Sequence, residues 1–168
     1  MRHLCIVSFS VRIMPEKKKK FSVIFICTGN TCRSPMAEFM FKAYLKQNGA
    51  LSNYSVSSAG LYAQRGDLLS ENADKALSFL GVSHTQKKAR AFTAGMAIDA
   101  DLVVAMSERH AIECGEVNNI CTFEDVGALT PIADPYGGSL QDYLDCAAQM
   151  RSCFDSLYAF CEKLRLGQ

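Results

Sequence analysis

Residues 27 to 35 read CTGNTCRSP and follow an apolar run. Two thiols, a guanidinium, hydroxyls and a proline crowd the end of what reads as a buried strand. Five residues separate Cys27 from Arg33, and two of them, Gly29 and Asn30, tolerate the positive φ values that a tightly curled loop demands. Such a loop can wrap a tetrahedral anion. The backbone N–H groups of Thr28, Gly29, Asn30, Thr31 and Cys32 turn inward, a helix starting near Ser34 adds its positive end, and Arg33 clamps two oxygens with its planar fork. The result is a phosphate cradle without a Walker lysine. The field that holds phosphate also favours a thiolate, so Cys27 becomes a candidate nucleophile. Attack on bound phosphorus gives a thiophosphoryl enzyme, and Ser34 can donate a hydrogen bond to the sulfur as it leaves in the second step. A cysteine closing a strand is by default a structural residue; the CX5R-S-P setting reverses that default.

Transfer to a thiolate still needs a proton for the leaving group. The segment ADPYGGS, residues 133 to 139, offers Asp134, fixed by Pro135 and flanked by Tyr136. Alone, Asp-Pro is an ordinary turn. Joined to the cysteine loop it supplies a candidate acid that becomes the base for the hydrolytic water. Asp142 reads instead as the first-turn partner of a Ser139 helix cap. Cys32 lies close to Cys27 if the loop curls, and as a redox partner it could form a reversible disulfide that shields the nucleophile; the plainer role is a small loop-packing residue.

These residues need a scaffold. FSVIFIC, residues 21 to 27, is β-branched and aromatic throughout, as suits a central parallel strand buried on both faces. PMAEFMFKAYLKQNG reads as a helix, with Pro35 in its first turn and Gly49 as its stop. YSVSSAG (54 to 60), DLVVAMS (101 to 107) and NNICTF read as further strands. SENADKALSFLG is a helix capped by Ser70 and ended by Gly81, TAGMAIDA and ERHAIECGE are short helices, and HTQKKARAF is loop. From Ser139 an apolar helical face continues to the end through Leu144, Phe154, Leu157 and Cys161. Strands alternating with helices imply an α/β fold: one domain, a three-layer sandwich with a four-stranded parallel sheet and helices on both faces. Ligands in such sheets bind beyond the carboxyl ends of the strands, where the quoted motif lies.

Composition narrows the function classes. With 168 residues, 49% hydrophobic, the chain can bury one core. A formal net charge of +1 gives no general pull toward nucleic acid or an anionic membrane, so neither is expected as a partner, and oligomeric state is left open. Eight cysteines without a CxxC pair, in a chain that folds without staples, point to a reducing cytoplasm rather than a disulfide framework. Three histidines, none spaced with cysteines for zinc, argue against a metal centre, and no cofactor is expected. Residues 1–20, interrupted by Arg12 and ending in Lys17 to Lys20, are too short an apolar stretch to span a bilayer. They read as a flexible extension before a catalytic domain over 21–168, with Met14 a possible start.

VIFICTGNTCRSPMAE, SSAG, ADLVVAMS and DPYGGS, in that order, closely resemble the low-molecular-weight protein tyrosine phosphatase family over roughly residues 21 to 165. The resemblance implies a metal-free Cys27 nucleophile, an Arg33 phosphate clamp and an Asp134 acid acting on phosphorylated proteins, with Asn30 and Ser58 bracing the loop and Ser34 supporting the thiolate. Members often carry a histidine just before a basic AR segment, where this chain reads Lys87-Lys88-Ala89-Arg90; His84 is not expected to replace it. Paired aromatics after Asp-Pro are also missing, since Gly137 follows Tyr136, which leaves one pocket wall open or supplied by Tyr62. Thr31 and the DPxGGS loop look most like the bacterial branch of protein arginine phosphatases, in which threonine replaces a bulkier isoleucine. Phosphoarginine is therefore favoured over phosphotyrosine, and Asp134 could also pair with the guanidinium. Thioredoxin-coupled arsenate reductases share the loop, but their relay needs two further cysteines where this chain offers Cys114 and Ser107. A catalytically idle phosphate-binding module would not need Cys27, Arg33 and Asp134 together.

Overall fold

Alternation within one strand sets the layers. In β1 (Phe21–Cys27) the side chains of Val23, Phe25 and Cys27 join the larger apolar cluster, while Ile24 and Ile26 join a smaller one on the opposite face. The computed structural model describes residues 19–117 and 119–167. The expected extension therefore lies, up to residue 18, outside the described residues.

β1 continues through the cysteine loop into α1 (Arg33–Gln47), followed by β2 (Tyr54–Gly60), α2 (Glu71–Phe79), α3 (Ala94–Asp99), β3 (Leu102–Ala105), α4 (Glu108–Glu113), β4 (Ile120–Thr122), α5 (Leu140–Ser152) and α6 (Phe154–Leu166). The sheet order is β2-β1-β3-β4 and every pairing is parallel, so β1 is internal as its sequence predicts. The larger cluster gathers Phe25, Phe41, Phe123, Phe154, Met36, Met150 and Leu157 between the sheet and α1, α5 and α6. The smaller one packs Val103 and Ala105 with Phe92, Met96 and Ala111 from the α3 and α4 side. Among the described residues no helix is long and apolar enough to cross a membrane.

The C-terminal apolar face is continuous, but the helix is not. α5 stops at Ser152 and α6 starts at Phe154, with Cys153 donating its N–H to Met150 O at 3.2 Å in a tightened turn. Periodicity runs through the break because both helices turn the same face to one core, which keeps Met150, Cys153, Phe154 and Leu157 buried. The seven cysteines among the described residues are free thiols. Burial pushes Cys121 and Cys146 up to about 12, leaving them protonated and unreactive.

Candidate active site

The loop between β1 and α1 curls around the Cys27 sulfur. The Asn30 backbone N–H donates to Cys27 Sγ at 3.3 Å, and Ser34 Oγ lies 3.0 Å from the same sulfur. Asn30 Nδ2 donates to Ser34 Oγ at 2.8 Å, which leaves the one Ser34 proton to be shared between Cys27 Sγ and Ala59 O at 3.2 Å. Asn30 adopts φ 57°, the left-handed conformation asparagine tolerates. Gly29, expected to share it, does not have positive φ. The glycine that the curl requires is Gly60 at the end of β2. A Cβ there would stand 2.7 Å from Thr28 O and 2.8 Å from Asn30 N, inside the loop backbone.

α1 begins at this loop without a side-chain cap and without an acidic residue in its first turn. Its free N–H groups and positive dipole end therefore remain available to an anion. Arg33, buried at 6% exposure, donates from Nη2 to Asp134 Oδ2 at 2.5 Å and from Nη1 to Ile132 O at 3.4 Å. Its Nε is buried without a partner, a donor in search of an oxygen. Cys27, Thr28, Gly29, Thr31, Cys32, Arg33, Asp67, Asp134 and Tyr136 line a cleft of about 250 Å³. The structure thus brings together the predicted thiol, guanidinium and acid from segments far apart in sequence.

The sequence model of the family described as low molecular weight phosphotyrosine protein phosphatase matches residues 22–165. The chain belongs to this family. It is 35% identical over 130 residues to the protein-arginine-phosphatase of Bacillus subtilis, covering 72% of this chain and 83% of that protein. It is 32% identical over 126 residues to the low molecular weight protein-tyrosine-phosphatase PtpB of Staphylococcus epidermidis, covering 72% and 85%. A solved structure of a serine-for-cysteine mutant of the YwlE arginine phosphatase, with phosphorylated active site serine, superposes with a TM-score of 0.73 at 31% identity, covering 86% of this chain and 95% of that one. The protein is a phosphatase of the cysteine-based kind, acting on phosphorylated proteins.

In this phosphatase the loop is braced by a buried polar chain. Asn30 Nδ2 donates to Ser58 Oγ at 2.9 Å, and Ser58 Oγ donates to Glu38 Oε2 at 2.7 Å. Lys87 Nζ donates to Ser58 Oγ at 2.8 Å and also to Glu38 Oε2, while the Arg90 backbone N–H reaches Asn30 Oδ1 at 3.0 Å. Burial pushes the Glu38 carboxyl up, but the Lys87 charge and hydrogen bonds from Lys42, Lys87 and Ser58 outweigh it and hold the group below the usual carboxylate range. Sequence reasoning placed Ser58 and Asn30 here and missed Glu38, Lys87 and Arg90. The signal was the KKAR segment, where Lys87 reaches the brace. His84 sits elsewhere, on Asp74 Oδ1 at 3.2 Å and Val82 O at 2.8 Å.

Other positions of the phosphatase depart from expectation. Tyr62 does not line the Cys27 cleft; it belongs to a separate groove with Leu61, Phe92, Ile98 and Cys114. Asp67, not singled out in the sequence, does line the cleft. His110 was also missed. It is buried between Thr28 Oγ1, 2.9 Å from Nε2, and Ser107 Oγ, 2.7 Å from Nδ1. Burial and the Arg33 charge lower its pKa, so the ring is held neutral. Cys32 turns its thiol to Tyr143 Oη at 3.2 Å and Ser70 Oγ at 3.3 Å. The arsenate-reductase relay finds no support: Cys114 packs with the smaller core cluster and Ser107 is engaged by His110.

Proposed function

We propose that the chain hydrolyses phosphorylated protein side chains through Cys27, with phosphoarginine preferred over phosphotyrosine. The observation that carries the chemistry is the open α1 N-terminus beside a buried Arg33 whose Nε has no partner. A phosphoryl group seated there receives inward N–H groups and the Arg33 fork, with its phosphorus facing Cys27 Sγ. The thiolate attacks, the P–N or P–O bond breaks, and Asp134 delivers a proton to the leaving nitrogen or oxygen. Asp134 then takes a proton from water, which attacks phosphorus, breaks the S–P bond and restores the thiolate with help from the Ser34 hydroxyl. Phosphate oxygens compete with Asp134 for Arg33, so binding frees the carboxyl group from the guanidinium to carry its proton to the leaving group.

Thr31 supports the substrate preference. It lines the cleft, and its small polar side chain leaves room for a guanidinium-linked phosphoryl group. The Bacillus subtilis relative named as a protein-arginine-phosphatase points the same way. The phosphotyrosine reading draws on Tyr136, an exposed ring at the cleft mouth able to stack on an aromatic substrate. A reducing cytoplasm suits this chemistry, because it keeps a nucleophilic thiol in the reduced form. The test is kcat/KM on matched phosphoarginine and phosphotyrosine peptides in chelator, with Cys27→Ser as the blank for turnover. Phosphoarginine should be favoured, Thr31→Ile should shift the ratio toward phosphotyrosine, and an unchanged ratio in that variant contradicts the role of Thr31.

A further inference from the structure

The cleft has an unexpected charge balance. One cation, Arg33, and two carboxylates, Asp67 and Asp134, line it. A dianionic phosphoryl group that takes over the Arg33 fork, with Asp134 serving as the acid, leaves the Asp67 carboxylate facing it uncompensated, which costs Coulomb energy in a partly enclosed cleft. The balance closes if the substrate brings its own cation beside the phosphorus. A phosphotyrosine ring brings none; the guanidinium of phosphoarginine does, with a planar fork suited to carboxylates.

Asp67 is placed for this. Its backbone is tied on both sides: its carbonyl accepts the Ala89 N–H at 2.8 Å, and its N–H donates to Gln64 O at 3.3 Å. Next along the chain, Leu69 N–H reaches Lys87 O at 2.9 Å and Ser70 N–H reaches Thr31 O at 2.9 Å, so the segment is fastened to the phosphate loop itself. Among the described residues the Asp67 carboxylate has no hydrogen-bond or ion-pair partner, whereas Asp134 is held by Arg33 and by the Tyr136 N–H at 3.2 Å.

We propose that Asp67 is a specificity-determining residue whose carboxylate pairs with the guanidinium of a bound phosphoarginine and repels substrates that carry only negative charge. The inference rests on the phosphoarginine reading and deepens it. Asp134 serves the reacting bond; Asp67 reads the charge behind it. Selection then arises as much from repulsion of phosphotyrosine as from attraction of phosphoarginine.

The experiment compares wild type, Asp67→Asn and Asp67→Glu on matched phosphoarginine and phosphotyrosine peptides that contain no other basic residue, at low and high salt. Because the carboxylate is exposed, Asp67→Asn is expected to lower kcat/KM for phosphoarginine about fivefold, mainly through KM, and to raise it for phosphotyrosine. Asp67→Glu retains most of the wild-type ratio, and salt narrows the difference between wild type and Asp67→Asn. A general loss on both substrates in Asp67→Asn that Asp67→Glu shares marks a loop-packing role and overturns the proposal. A wild type that prefers phosphoarginine, with an unchanged ratio in Asp67→Asn, overturns the Asp67 assignment alone. A wild type that prefers phosphotyrosine overturns both this assignment and the substrate reading it rests on.

Discussion

Two helices start close to the Cys27 cleft and end their N-termini in opposite ways. α5 is closed on itself: Ser139 Oγ accepts the Asp142 N–H, and the Asp142 carboxylate accepts the Ser139 N–H at 2.6 Å in a full capping box. α1 has no side-chain cap and no first-turn acid, and it opens beside a buried arginine. A capped terminus satisfies its N–H groups locally and stabilises the fold. An uncapped one leaves them for a ligand, and the stability forgone there is supplied by the chain from Asn30 through Ser58 to Glu38 and Lys87 that holds the loop from behind. The difference separates a structural helix start from a proposed catalytic one, and it orders the consequences of disturbing each.

The largest effect is expected at Arg33. Arg33→Lys keeps the charge but loses the fork, and steady-state kinetics should show kcat falling about 10³-fold while the melting temperature changes little. Retained turnover would remove the distinction between the two helix starts. Next, Gly60→Ala drives a methyl group into the loop backbone, where the nearest atoms stand at 2.7 and 2.8 Å. A displaced loop should cost about 100-fold in kcat/KM, with far-UV circular dichroism unchanged.

Lys87→Met tests the brace. It removes one partner of the nearly buried Glu38, which retains Lys42 at 2.6 Å, and chemical denaturation should register a loss of about 2 kcal/mol. Adding Glu38→Gln should recover part of that loss, whereas strict additivity of the two changes would show that they do not interact. Ser139→Ala opens the α5 cap and should cost about 1 kcal/mol in stability with kcat/KM nearly unchanged. A large activity loss there would mean that both helix starts serve the reaction.

The smallest effect concerns His110. Its pKa is lowered in the folded protein, by burial first and by Arg33 next. The unfolded chain therefore binds a proton before the native one does, so stability should fall as pH drops below about 6.5, with the loss complete below the folded value. His110→Gln should flatten that part of the melting-temperature profile. A profile that keeps its full slope in the variant would assign the acid sensitivity elsewhere.

Much of this was legible because it depends on local order. β1 and β2 announce themselves by composition, and Cys27, Arg33 and Ser34 lie within one turn of chain whose geometry follows from residue type and spacing. Asp134 was legible through its Asp-Pro context joined to the cysteine loop, although its ion pair with Arg33 was not. Lys87, Glu38, His110 and Asp67 escaped because their meaning lies in which loops meet. A lysine in a basic run and a glutamate on a helix look like solvated surface until Ser58 brings them to Asn30. His110 looked like one residue of a short helix until Thr28 came within 2.9 Å. The break at Cys153 escaped because two helices sharing one core keep a single apolar rhythm.

The central claim is that Cys27 carries the phosphoryl group during turnover. Rapid mixing with a phosphoarginine peptide, followed by quenching and mass mapping of the digested protein, tests it most directly. The account predicts one phosphoryl group per chain on the peptide containing Cys27, appearing and decaying at rates consistent with turnover and absent from Cys27→Ala. Phosphate release with the adduct on another residue, or undiminished turnover in Cys27→Ala, would contradict it.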